Sequence, residues 1–386
     1  MPAQSLVVFS AIFFTALIMR GPITVVGPIA EQLQAALGMD YQTYGVLAAL
    51  PVLCFGIFTV ATTVITKAMR IQYALAAICA LILMGCSLRL VALQWLFMFA
   101  TVVVAAGIAM LNTLMPVFVR QYVPIHPDKS IAILTALIGL SSCLGTYSSV
   151  PLFTYAQSYL FPLALWSIVA AIAFCFWCLS AHQKIQFTQS NSQVQWNILK
   201  RWPTWSVIGT MGFQSLAMYT VAAWLPTLLI SQGFSLQQAG ICTSIFVLFT
   251  VPASFLTAWL IHRCQGEKIL SIVVTIIFCV SIALWMVGGF WVYLASALAG
   301  FSQGVRFSLA IILISKKSND TQEMMMLSTV AQGMGYLIGA SGPFICGYLY
   351  QANGDWGTVY TFFFIATILW GIAAYDGFGK GKVFHH

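Results

Sequence analysis

The sequence predicts an all-α integral membrane protein with twelve membrane-spanning helices. Three observations carry this prediction: an apolar composition, a series of long apolar segments, and a repeat that relates the two halves of the chain. Of the 386 residues, 61% are hydrophobic and only 6% are charged, whereas an ordinary soluble domain has roughly 25% charged residues. Because so few charged side chains cannot cover a soluble protein of this size, that class is excluded.

The apolar residues form long continuous segments, which favours helices over the short alternating strands of a membrane β-barrel. A polar stretch at 183–200 predicts a cytoplasmic linker between an N-terminal six-helix bundle at 1–182 and a C-terminal bundle at 201–386. The twelve predicted helices lie near Leu6–Leu37, Tyr44–Thr66, Tyr73–Val91, Leu96–Tyr122, Ser130–Thr154, Leu160–Ala181, Trp205–Ser231, Ala239–His262, Ile269–Gly288, Trp291–Ser315, Met324–Tyr350 and Gly357–Tyr375.

An internal repeat relates the two halves. Sliding the chain against itself by about half its length aligns Gly38 with Gly233, and the string LTALIGLSSCLG with LSTVAQGMGYLIG. We therefore expect two pseudo-symmetric bundles. Parallel repeats around a substrate site near the membrane midplane are typical of transporters that work by alternating access. A receptor or a membrane enzyme would not need this duplication, and no metal-ligand spacing, nucleophile–base set or phosphate loop indicates an enzyme.

The net charge of +8 comes from basic residues scattered over short loops, which argues against a nucleic-acid surface. On the predicted topology these residues fall almost entirely on one side, and the opposite loops carry Asp40 and Asp355. The positive-inside rule then places both termini in the cytoplasm of a multi-pass protein of the bacterial inner membrane. Arg89 is the exception, and we expect it to reach the outer interface by snorkelling. We expect a monomer with no metal or cofactor, whose partners are the lipid bilayer and a small-molecule substrate.

Arg20 lies near the middle of the first predicted helix. A central arginine costs roughly 2.5–3.5 kcal/mol on insertion, so such residues usually face a bundle interior or a water-filled path. Glu31 follows on the same helix face and is a candidate for proton coupling. Pro22 and Pro28 are expected to interrupt the helix and to free backbone groups.

Other polar residues inside the segments complete a predicted substrate site. The repeat places Ser215, next to Gln214, at the position of Arg20. Arg306 is a second buried charge, one turn after Gln303. The remaining candidates are Asn112, Tyr219, Trp224, Gln332 and Tyr336. The small residues of the fifth and eleventh segments are expected to serve helix packing.

The two arginines lack an obvious carboxylate partner, which favours a site for a small anion in a dry cavity. The alternative is that backbone carbonyls or a water pocket neutralise each arginine. Importing an anion against a negative-inside potential costs about 2.3 kcal/mol per 100 mV. Exchange, proton co-transport through Glu31 or substrate, and uptake of a neutral form would each remove that cost, and all three stay open.

Five strings carry a resemblance that spans essentially all twelve helices: MRGPITVVGPIAEQL, NTLMPVFVRQ, GFQSLAMYTVAAWLPTLL, GFSQGVRFSLAIILI and LSTVAQGMGYLIGASGPFICGYL. The chain resembles the cyanate permease and 2-nitroimidazole transporter branch of the major facilitator superfamily. This resemblance implies the major facilitator fold, and transport of a small anion such as cyanate or, alternatively, export of neutral nitroheteroaromatic compounds. Arg20, Gln214, Gln303 and Gln332 fall on family pattern positions. Arg306 replaces a small or apolar family residue, which predicts a larger or doubly contacted anion.

Overall fold

The first half of the chain is mainly helical in the part that the structure describes. The structure is a computed structural model that describes residues 3–58, 70–123, 127–180, 196–319, 321–379, 381 and 383. The first predicted segment is divided into three helices and a 3-10 turn. The helices of this half are α1 (Ala3–Ile18), α2 (Gly21–Thr24), α3 (Ala30–Leu37), α4 (Tyr41–Phe58), α5 (Ile71–Leu88), α6 (Gln94–Tyr122), α7 (Pro127–Ala156) and α8 (Leu160–Ser180).

The second half has one continuous helix for each predicted segment. These helices are α9 (Trp202–Ser231), α10 (Leu236–Arg263), α11 (Glu267–Val287), α12 (Trp291–Lys316), α13 (Thr321–Asn353) and α14 (Gly357–Gly379). All twelve predicted segments therefore have a helical counterpart. Within the described residues, eleven are long and apolar enough to cross a membrane. The twelfth, α13, has 33 residues but a more polar composition.

A few predictions lie outside the described residues. These are the end of the second segment after Phe58, most of the linker at 183–200, and the loop residues Lys67, Lys184, Lys380 and Lys382. The described chain forms two compact units, Met1–Asp40 with Ile57–Ser190, and Tyr41–Gly56 with Asn191–His386. Most of α4 thus belongs with the second unit, and the predicted boundaries at 182 and 201 remain a prediction.

The two units repeat one packing pattern. In the first unit α1 packs on α7 and α8, and α5 packs on α6 and α8. In the second unit α9 packs on α13 and α14, and α11 packs on α12 and α14. These pairs correspond one to one under the sequence repeat, so the predicted pseudo-symmetry of the fold is confirmed.

The glycines that the repeat aligns have the same backbone role. Gly38 follows α3 with φ +66°, and Gly233 follows α9 with φ +89°. Both lie in the left-handed region, where glycine has no Cβ penalty, so both end the first membrane segment of their half. Ser235 then caps α10, because its Oγ accepts from the Gln238 amide at 3.2 Å while Gln238 Oε1 accepts from the Ser235 amide at 2.9 Å.

Small residues on α13 allow its close contact with α9. A Cβ at Gly339 would lie 2.9 Å from the Cβ of Ser215, and one at Gly335 would lie 3.0 Å from Cγ of Met211. In the first unit, a Cβ at Gly145 would meet the backbone of Gly21 at 2.9 Å. The expectation that these stripes serve helix packing is therefore correct at these positions.

Candidate functional site

The first membrane segment is broken at Arg20. α1 ends at Ile18, and Arg20 has φ −138° and ψ −41°, outside the helical region, before α2 begins at Gly21. Pro22 has no N–H to continue the helical hydrogen bonds, and a Cβ at Gly21 would overlap the indole of Trp166. The predicted interruption is thus confirmed. The side chain of Arg20 is half-buried at this break.

Side chains of α7 bind the backbone groups that the break releases. Ser141 Oγ accepts from the amide of Gly21 at 2.8 Å and donates to the carbonyl of Leu17. Ser149 Oγ donates to the carbonyl of Val25 at 2.6 Å. The broken segment therefore keeps its polar groups paired without a continuous helix, as a membrane interior requires.

Arg89, directly after α5, binds the same segment. Its Nη1 donates to the carbonyl of Pro22 at 2.5 Å, and its Nε donates to Thr101 Oγ1 at 3.2 Å. The guanidinium also lies 5.4 Å from the ring centroid of Phe97. Only 2% of Arg89 is exposed, so the expectation that it snorkels to the interface is wrong. The sequence reasoning missed this partner, and the hydroxyl of Thr101 in an otherwise apolar segment is the signal that could have pointed to it.

The other candidates of the first unit lie on different helices. Glu31 is half-buried in the first turn of α3. Asn112 is half-buried on α6, and its Nδ2 is a buried donor without a hydrogen-bond partner among the described residues. Asn112 is therefore able to donate to a ligand, and the role of Glu31 in proton coupling stays a prediction.

Three predicted residues of the second unit form one hydrogen-bonded row. Gln303 Nε2 on α12 donates to Oε1 and to the carbonyl oxygen of Gln214 on α9, both at 2.8 Å. Gln214 Nε2 donates in turn to Ser215 Oγ at 3.0 Å. All three side chains are buried. The position equivalent to Arg20 therefore lies in a continuous helix and a neutral network, in contrast to the broken charged segment of the first half.

Arg306 is enclosed inside the second unit. It is 0% exposed, and its Cζ lies 4.7 Å from the ring centroid of Phe278 on α11 and 4.4 Å from that of Trp370 on α14. Its Nε, Nη1 and Nη2 have no hydrogen-bond partner within the described residues. The predicted contact with a transported anion is not available in this conformation, because the side chain is enclosed and has no exposed surface.

Trp224 is also enclosed, contrary to the prediction that it lines the substrate path. Its Nε1 donates to the carbonyl of Pro343 at 3.1 Å, and its ring meets Tyr44 edge-on at 5.0 Å between centroids. Tyr44 Oη donates to the carbonyl of Ala223 at 3.1 Å. A tryptophan in a membrane helix serves helix packing as often as it contacts a ligand, and Trp224 serves packing.

Three predicted residues of the second unit are half-buried and so remain accessible candidates. Tyr219 and Tyr336 lie with Phe55 in an aromatic trio whose centroid distances are 5.6, 6.2 and 6.5 Å. Gln332 is one turn before Tyr336 on α13 and donates to Ser328 Oγ at 2.7 Å. This group offers aromatic faces together with amide and hydroxyl groups.

Comparison with known proteins gives the family. The family model of the Major Facilitator Superfamily matches residues 12–340 and 213–376. The chain is 28% identical to the Bacillus subtilis (strain 168) protein named Uncharacterized transporter YycB, over 98% of this chain and 95% of that protein. It is 24% identical to the 2-nitroimidazole transporter of Escherichia coli (strain K12), over 91% and 90%, and 22% identical to the Cyanate transport protein CynX of the same organism, over 88% of each.

The fold agrees with this result. A crystal structure of a bacterial homolog to the human lysosomal transporter Spinster, in an inward-facing and unoccupied conformation, superposes with a TM-score of 0.78 at 12% identity, covering 98% of each chain. The resemblance that the sequence strings indicated is confirmed by the family match. This chain belongs to the Major Facilitator Superfamily, as a multi-pass membrane transporter of the group that includes the 2-nitroimidazole transporter and CynX.

Proposed function

We propose that the protein is a secondary transporter of a small anion, and that Arg20 is the principal anion contact. The observation that carries this proposal is the half-buried guanidinium at a break in a membrane helix. A charge at that depth is costly unless it serves a ligand or a partner. In a water-poor cavity, a charge-assisted hydrogen bond from arginine to an anion is about twice as strong as a neutral one.

The backbone oxygens freed by the break have donors other than Arg20 at three positions. The carbonyls of Leu17, Pro22 and Val25 each accept from another side chain. The guanidinium of Arg20 is therefore not required as the donor to these three carbonyls.

The similarity to CynX supports a small monovalent anion as the substrate class. We propose transport across the bacterial inner membrane with both termini in the cytoplasm, and Glu31 as the candidate proton carrier. Because anion import against 100 mV costs about 2.3 kcal/mol, co-transport of one proton would make the net movement electroneutral.

Counterflow in proteoliposomes tests the proposal. Proteoliposomes that contain the purified protein and are preloaded with cyanate should take up labelled cyanate faster than empty ones. Arg20→Gln should weaken substrate affinity by about 10- to 100-fold, because one hydrogen bond to a charged group is lost. Arg120→Gln removes the same charge from an exposed position at the end of α6 and should leave transport unchanged. Unchanged cyanate affinity in a folded Arg20→Gln protein would exclude Arg20 as the anion contact.

A second candidate function is export of neutral nitroheteroaromatic compounds. The trio of buried Phe55 with half-buried Tyr219 and Tyr336 favours it, because aromatic rings packed edge to face or at a tilt offer apolar faces to a flat ring. The similarity to the 2-nitroimidazole transporter also supports it. If this function is correct, Tyr336→Leu should reduce 2-nitroimidazole flux several-fold while Arg20→Gln leaves it intact. The anion proposal expects the reverse order of effects.

A further inference from the structure

Arg306 carries a charge for which the described part of the second unit supplies no counter-charge. We propose that its guanidinium binds a small, weakly hydrated inorganic anion inside this unit, at a site separate from the transported substrate. This site does not involve Arg20 and is therefore independent of whether the transported substrate is an anion or a neutral compound.

Two aromatic rings lie close to the Arg306 guanidinium and restrict where a ligand can bind to it. Phe278 and Trp370 lie at 4.7 and 4.4 Å from Cζ, on two different helices, and favour the cation through the negative faces of their rings. Trp370 is itself fixed, since its Nε1 donates to the carbonyl of Thr210 at 3.0 Å. A guanidinium donates only in its own plane, through five N–H groups. A ligand would therefore bind at the edge of the guanidinium.

The carboxylates of the described second unit are engaged elsewhere. Among the described residues the one salt bridge joins Lys316 to Glu267 at 2.5 Å. The remaining described acids of this unit each accept a hydrogen bond from another group: Asp376 from Ser206 Oγ, Glu323 from the amide of Asn319, and Asp355 from the amide of Gly357. No described carboxylate bonds to Arg306.

Neutral neighbours cannot replace that counter-charge. Gln303 Oε1, one turn earlier on α12, is buried and without a partner among the described residues, and so is Thr367 Oγ1, one turn before Trp370 on α14. Neither oxygen bonds to the guanidinium, whose three nitrogens have no partner among the described residues. Neither adds negative charge, and an uncompensated buried ion costs several kcal/mol.

Enclosure sets the class of anion. Because Arg306 is 0% exposed, any ligand has to shed its water and displace neighbouring side chains at the edge of the guanidinium, which favours a small ion over a lipid headgroup or a large organic anion. The Born cost of leaving water falls as the ionic radius grows. We therefore expect bromide to bind better than chloride, and fluoride to bind least.

Thermal unfolding of the purified full-length protein tests the site, with bromide as the probe. At constant ionic strength, replacing gluconate by bromide should raise Tm in a saturable way, and fluoride should raise it less. Arg306→Met keeps a side chain of similar length without charge and should abolish the bromide response. Arg20→Gln should keep the response, which separates this site from the proposed substrate contact.

Anomalous diffraction from crystals grown with bromide gives a measurement that needs no variant. The expected result is a bromide peak within hydrogen-bond reach of the in-plane edge of Arg306. A wild-type Tm that does not distinguish bromide from gluconate would overturn the proposal, as would a response that survives in Arg306→Met. If the bromide response is lost in Arg20→Gln but kept in Arg306→Met, bromide binds at Arg20. That result would overturn the proposal for Arg306 and support the proposed function. If Arg306→Met does not fold, the position of the bromide peak decides.

Discussion

Arg89 and Arg306 are both buried arginines, but they differ in whether their guanidinium groups have hydrogen-bond acceptors. Arg89 donates to a backbone carbonyl and to a threonine, whereas the three nitrogens of Arg306 have no acceptor among the described residues. Both lie against aromatic rings. Arg89 is therefore a positioning residue for the broken segment that presents Arg20, while Arg306 has the electrostatics of a ligand site.

Replacing Arg89 by methionine should destabilise the protein by about 1–3 kcal/mol, because the carbonyl of Pro22 loses its donor in a buried environment. The substrate KM should rise more than the maximal rate falls, since the broken segment loosens around Arg20. Arg89→Lys should restore part of the affinity through a single donor. Thermal unfolding in detergent and transport kinetics in proteoliposomes measure the two effects.

Arg263 provides the matched control for that substitution. Its guanidinium also lies over an aromatic ring, 5.7 Å from the centroid of Trp259, but its side chain is exposed. Arg263→Met should change stability by less than about 0.5 kcal/mol, as surface changes usually do. Equal losses from the two variants would show that the ring contact, and not the bond to Pro22, stabilises Arg89.

Among the elements, α13 shows how small residues determine helix contact. A Cβ at Gly342 would overlap Thr220 Oγ1 and approach Cγ of Leu216 at 2.7 Å, whereas a Cβ at Gly333 would meet nothing within 4 Å. The two glycines lie on one helix and differ only in what faces them. Alanine substitutions at these two positions therefore distinguish the effect of packing from that of helix propensity within one helix.

Gly342→Ala should destabilise the protein by about 1–3 kcal/mol through overpacking against α9. Gly333→Ala should be neutral or stabilising by up to about 1 kcal/mol, because alanine lowers the entropy cost of the helix without a clash. Midpoints of thermal unfolding for the two variants check the difference. A Gly342→Ala protein as stable as Gly333→Ala would show that α13 moves away from α9 at little cost.

Element positions were predictable from the sequence, but helix rotation was not. Hydropathy located α5 to α14 to within a few residues, because membrane spans need long apolar runs wherever they pack. Pro22 and Pro28 predicted the broken first segment. The burial of Trp224 and the aromatic contacts of Arg306 depend on which way a helix face turns, and a helix that is apolar on all sides carries no periodic signal for that.

At the scale of the whole molecule, the repeat relates the packing of the two units but not their chemistry. α1 and α9 occupy equivalent positions, yet one half holds a broken helix with Arg20 and the other a continuous helix with the neutral pair Gln214 and Ser215. The duplication predicted the fold correctly. The asymmetry follows from the aligned residues themselves, since the repeat aligns Arg20 with Ser215 and Pro22 and Pro28 interrupt the first segment.

The proposed orientation of the whole chain predicts opposite results at two glycine turns. Gly233 and Gly266 both have a positive φ and lie between membrane helices, on opposite sides of the membrane by the positive-inside rule. Alkaline phosphatase fused after Gly233 should be active, because its disulfides form only in the oxidising periplasm. The same enzyme fused after Gly266 should be inactive. The reverse pattern of phosphatase activity would invert the topology.

Ser141 has a mechanical consequence for the broken segment. Its hydroxyl accepts from the amide of Gly21, the first residue of α2, and donates to the carbonyl of Leu17 in the last turn of α1. The two helix ends are therefore linked through α7 as well as through their own backbone. A force on α2 is therefore transmitted partly to α7. We therefore expect the turn that carries Arg20 to move together with α7, a helix of 30 residues.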